Sequence, residues 1–126
     1  MRAILVTLGL ALATPAWAQS PITAWCGGGV TGGGNGTRIT PDGTITRLSR
    51  NTAGSPEVAT PLGQDEAAFR RLAAALAAVG FSRLASQPPG NMTCTLSQGT
   101  TTLRWPGGQP PEAVAGVFAE LRGWRP

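Results

Sequence analysis

The chain is 126 residues long and carries ten basic residues, all of them Arg, against six acidic ones, with no His, Tyr or Lys. That composition excludes a Ser-His-Asp or Cys-His centre, removes the usual His ligands of a catalytic zinc and leaves no Lys for a Schiff base. The arginines are scattered along the chain without interleaved stacking aromatics, which is not the footprint of a nucleic-acid surface.

The amino terminus reads as a secretory signal peptide over residues 1–18. Arg2 supplies the positive start, AILVTLGLALA the apolar stretch and Ala16-Trp17-Ala18 the small-x-small cleavage pattern. The stretch is shorter than the ~20 apolar residues a bilayer span needs, so no stable membrane insertion is expected. Residues 19–126 are then expected to form one exported domain, periplasmic or secreted. Cys26 and Cys94 are the only cysteines, and an even count in an exported chain reads as one disulfide. Closing a loop of that length stabilises by roughly 4 kcal/mol in the chain-entropy model.

A first strand is expected in PITAWCGGGV, with Ile22, Trp25 and Val30 as its buried contacts and the glycines as a bulge or wide turn. TRITPDGTITRL follows as a hairpin. A type I turn with Pro41, Asp42 and a left-handed Gly43 sets Thr40 against Thr44 and Ile39 against Ile45, placing both isoleucines on one face. Residues 51–63, with two prolines, two glycines and no period, read as a mobile surface connection. A helix then starts near Gln64 or Asp65, whose acidic first turn suits the helix dipole. Its stripe is Phe69, Leu72, Leu76 and Val79, with Arg70 and Arg71 facing away. Gly80 stops it in a left-handed conformation and Phe81 folds back.

FSRL alternates as a short strand would, and ASQPPGN reads as a loop. In MTCTLSQGTTTLRW a two-residue Gln98-Gly99 turn pairs Cys94 with Leu103, Leu96 with Thr101 and Met92 with Trp105. Pro110 or Pro111 opens a last helix with the stripe Val114, Val117, Phe118 and Leu121, and Gly123-Trp124 repeats the stop seen at Gly80-Phe81. The order strands, helix, strands, helix describes an α+β fold, an antiparallel sheet of about five to six strands with two helices packed on one face and one disulfide. The bridge would tie the first strand to the last hairpin and hold the glycine run beside that seam.

Little in this layout performs chemistry. The six acids sit where structure explains them: Asp42 in a turn, Glu57 in a loop, Asp65, Glu66 and Glu112 at helix starts, Glu120 beside arginines. The chain is therefore not expected to be an enzyme or to hold a cofactor or metal. GGGVTGGGNG lacks the following helix and the Gly-Lys-Ser/Thr end of a phosphate loop. Two uses remain for it: close strand approach, or an exposed backbone edge offered to a protein partner by Gly28, Gly29, Thr31, Gly32, Gly33, Gly34 and Asn35. Trp25, Trp105 and Trp124 read as packing residues rather than as a sugar platform.

The layout as a whole resembles the emfourin-type family of small inhibitors of thermolysin-like metalloproteases. CGGGVTGG, GFSRL and the closing NMTCTLSQGTTTLRW…PPEAVAGVFAELRGW unit carry the resemblance, while the signal peptide and the Cys pair depart from the family pattern. It implies strands with helices and a protease as partner, without assigning an inhibitory residue. The expected function is an exported, non-enzymatic binding module that inhibits a secreted or periplasmic metalloprotease. The alternative is a structural, envelope-associated domain without an enzyme target.

Overall fold

The computed structural model describes residues 19–126, so the signal peptide expected over 1–18 lies outside the described residues. Six antiparallel strands form one sheet: β1 (Ile22–Gly28), β2 (Gly33–Ile39), β3 (Thr44–Arg50), β4 (Val58–Gln64), β5 (Met92–Gln98) and β6 (Thr101–Pro106), in the spatial order β4-β3-β2-β1-β5-β6. Helix α1 (Glu66–Ala78) follows β4, and α2 (Glu112–Arg122) closes the chain. The α+β architecture with its Cys26–Cys94 disulfide is thus the one the sequence pattern described.

The β2–β3 hairpin forms in the expected register. Ile39 faces Ile45, both fully buried, and Gly43 takes φ +90° in the turn. That turn docks on the start of α1, where the Asp65 N–H donates to the Gly43 carbonyl at 2.8 Å. Asp65 then caps α1 by accepting from the Ala68 N–H at 3.0 Å. Phe69, Leu72 and Leu76 are buried, Val79 is half-buried, and Gly80 ends the helix at φ +65°. In α2 the buried stripe is Val114, Val117, Phe118 and Leu121, and Pro111 occupies the N-cap. Phe118 meets Trp105 edge-on, ring centroids 4.9 Å apart. An exposed ion pair between Arg71 and Glu120 at 2.7 Å links the two helices.

Several expectations are corrected. Val30 is not a core contact: it is fully exposed in the turn between β1 and β2, and Ala24 is buried in its stead. Residues 51–63 are not all loop, because Val58–Gln64 form the edge strand β4. This strand is exposed along most of its length and contains Pro61 and a register shift opposite Ile45/Thr46, devices that blunt a sheet edge. FSRL forms a single 3₁₀ turn, Phe81–Arg83, rather than a strand. In the last hairpin Gly99-Thr100 makes the turn, so that Cys94 pairs with Trp105, Leu96 with Leu103 and Gln98 with Thr101. Met92 lies beyond this ladder, its side chain exposed. Finally, Gly123 is not left-handed, with φ −95°.

The glycine run resolves into the ends of the two central strands and the turn between them. Trp25 stands on the sheet face opposite the helices and lies over Gly27, Gly34 and Gly36, where added Cβ atoms would stand 2.7, 2.7 and 3.0 Å from its ring. Leu48, beside Gly36 in the next strand, is buried on that same face. The Arg50 guanidinium sits 5.7 Å from the Trp25 ring centre, a cation–π distance. The glycines therefore form a floor on which one large aromatic rests.

Candidate functional site

Two features stand where the sheet and α2 meet solvent. The first is the β1–β2 turn, Gly29–Gly32. Gly28, Gly29 and Gly32 take φ of +114°, +73° and +73°, a backbone that other residues rarely adopt. The turn is pinned on both flanks. The Gly29 N–H donates to the Asn91 carbonyl at 2.7 Å, and the Ala53 N–H donates to the Thr31 carbonyl at 2.9 Å. The Gly33 N–H donates to Thr31 Oγ1 at 3.2 Å. The Cys26–Cys94 bridge lies directly across the β1–β5 pair, two residues before Gly28, with Cα atoms 4.0 Å apart. Val30 projects from this fixed turn wholly into solvent, and half-exposed Met92 borders it.

The residues proposed for partner contact divide accordingly. Gly29, Thr31 and Gly32 lie in the turn. Gly28, Gly33, Gly34 and Asn35 are strand residues, with Gly28 paired to β2 and β5 and Gly34 and Asn35 paired to β1 and β3. The run is therefore central in the sheet, and the open edge that the sequence suggested does not form there. The sheet's edges are β4 and β6, and β6 is itself covered: the Arg104 N–H donates to Ser86 Oγ at 2.9 Å and the Gln87 N–H to the Arg104 carbonyl at 2.8 Å.

The second feature is a cleft between the sheet and the last turn of α2. On the helix-bearing face the alternation that buries Ile39 and Ile45 also brings Thr37 against Arg47 and Asn35 against Ser49, a polar patch on a mainly apolar face. Arg122 and Arg125 lie beside this patch and, with Arg47, border an open cleft of about 370 Å³. Arg122 Nη1 donates to the Asn35 carbonyl at 3.2 Å, and its guanidinium rests 5.7 Å from the Phe118 ring centre. Burial first, and the neighbouring Arg47 second, hold Arg122 below the ordinary arginine value. Arg122 also lines an adjoining apolar groove of about 640 Å³ formed by the disulfide, Met92, Ala115 and Phe118.

Sequence reasoning did not single out Arg47, Arg122 or Arg125. The signal was present in the Ile39/Ile45 register, because counting two residues outward along that hairpin places Arg47 on the face that the helices cover.

Among the described residues no cluster of three or more His, Cys, Asp or Glu could hold a metal, and no helix is long and apolar enough to cross a membrane. Three of the acids form ion pairs with arginines: Glu57 with Arg38, Glu66 with Arg70 and Glu120 with Arg71. No family model matches the chain, and no curated protein matches it.

Proposed function

We propose that this chain is an exported, non-enzymatic binding module that inhibits a thermolysin-like metalloprotease by presenting the Gly29–Gly32 turn to the enzyme's cleft. The observation that carries the reading is Val30, a fully exposed apolar side chain on a turn held by backbone hydrogen bonds on either side. Burying such a side chain in a partner's pocket is worth about 2 kcal/mol. A turn already fixed in shape loses little further freedom on binding, which is how a small surface gains affinity. The flanking glycines keep side chains away from the approach. The resemblance of the sequence to emfourin-type inhibitors supports the class of target, and a disulfide of this kind persists in oxidising compartments outside the cytosol.

Peptide hydrolysis by a thermolysin-like protease, followed with the oxidised 19–126 domain added at micromolar concentration, tests this. The domain is expected to slow cleavage, Val30→Asp to abolish the effect, and Ala67→Asp, exposed in the first turn of α1 beside the Gly43 turn at the other end of the sheet, to leave it intact. Undiminished cleavage with the unmodified domain overturns the reading. Co-purification with envelope material instead of a protease would favour the structural role.

A further inference from the structure

We propose that the cleft at the end of α2 binds an alkyl carboxylate, its head group on Arg47, Arg122 and Arg125 and its chain in the groove beside the Cys26–Cys94 disulfide. This site adjoins the turn that carries Val30 at Met92, but its ligand chemistry does not depend on protease inhibition.

Three arginines border one small cavity, yet none of them forms an ion pair among the described residues, whose ion pairs all lie elsewhere. The C-terminal end of α2 offsets part of this charge through its dipole. Arg122 is half-buried and Arg47 and Arg125 are exposed; burial chiefly, and the like charge of Arg47 second, lower the Arg122 pKa, and like charges brought together disfavour one another. A carboxylate in the cavity would relieve that repulsion. The one hydrogen bond from Arg122 Nη1 to Asn35 uses one of five guanidinium donors. Its planar fork, held against Phe118, leaves further donors for the bidentate geometry that a carboxylate fits.

The adjoining groove selects the rest of the ligand. Its floor of disulfide sulfur, Met92, Ala115 and Phe118 is mainly apolar, and a peptide laid along it would carry amide groups with few partners, a costly arrangement. An alkyl chain carries none. Arg122 lines both cavities, so head and tail sites adjoin.

The test is NMR titration of the oxidised 19–126 domain with hexanoate, octanoate and decanoate below their micelle concentrations, with acetate and decyltrimethylammonium as controls. Saturable binding is expected, shifting the Arg122 Nε–H and the Ala115 methyl, with affinity rising roughly two- to fourfold per methylene. Arg47→Gln and Arg122→Gln should each weaken decanoate roughly tenfold or more, and Arg122→Lys should recover part of the loss. Should Arg122→Gln fail to fold, Arg47→Gln and Arg125→Gln, with unchanged thermal melts, provide the same reading. Equal affinity for acetate and decanoate would overturn the proposal, since the groove would then contribute nothing. So would equal binding of the cationic surfactant, or undiminished binding by the Gln variants.

Discussion

The indole of Trp25 occupies the space that a side chain at Gly34 would need: a Cβ built there would stand 2.7 Å from Trp25 Cζ2 and 2.5 Å from the Cys26 carbonyl oxygen. The same holds at Gly36, where a Cβ would stand 2.1 Å from the Ala24 carbonyl oxygen. Gly36→Ala is therefore expected to destabilise the domain by about 1–3 kcal/mol, the usual cost of overpacking. Gly116, in the middle of α2, has open space around its missing Cβ, and Gly116→Ala should stabilise by about 1 kcal/mol. Urea denaturation of the two variants separates them by the sign of the midpoint shift, and a neutral Gly36→Ala would refute the floor described for Trp25.

Cys26 and Cys94 join β1 to β5 across 68 residues of sequence. The double variant Cys26→Ala/Cys94→Ala is expected to lose roughly 4 kcal/mol, chiefly through greater freedom of the unfolded chain. Thermal melts of the oxidised and alanine forms measure this directly. Mass spectrometry of oxidised protein after alkylation without reduction should find no modified thiol.

In the β2–β3 turn, the Thr40 hydroxyl and the Thr44 N–H donate to the Asp42 carboxylate and hold its pKa below the ordinary value. Because folding lowers this pKa, the contribution is fully present above the ordinary carboxylate value of ~3.9 and disappears as pH falls through the folded value. Melting temperature should therefore drop below a pH of about 4, and drop less in Asp42→Asn. With no His in the chain and both cysteines bridged, stability should vary little between about pH 5 and 8. A steep midrange dependence would contradict this.

Gln98 is buried at the end of β5 beside Ile22, and neither its side-chain oxygen nor its nitrogen has a partner among the described residues. An unpartnered buried amide costs about 1–3 kcal/mol, so Gln98→Met, which keeps the length of the side chain, is expected to stabilise by about 1 kcal/mol. A higher urea midpoint with an unchanged slope is the expected result, and a lower midpoint would show that the amide is satisfied after all.

The sequence by itself determined the elements whose signals are local. Asp65 before an apolar stripe and Gly80 after it delimit α1. Pro41-Asp42-Gly43 fixes a loop length that sets Ile39 against Ile45, and two cysteines in a chain whose first residues read as an export signal point to one bridge. Tertiary structure alone decided how strands with weak local patterns join the sheet. β4 lies on an exposed edge and buries too little for alternation to show. The last hairpin could slip by two residues because that shift keeps every apolar side chain on its original face. β2, with glycine at three of its seven positions, is a central strand because Trp25 supplies from β1 the bulk that its own residues lack. The arginine cleft arose in the same way, from residues 47, 122 and 125, which adjoin only after α2 has packed on the sheet. Local patterns record what each segment needs to bury, whereas a site assembled from distant segments depends on which of them end up as neighbours.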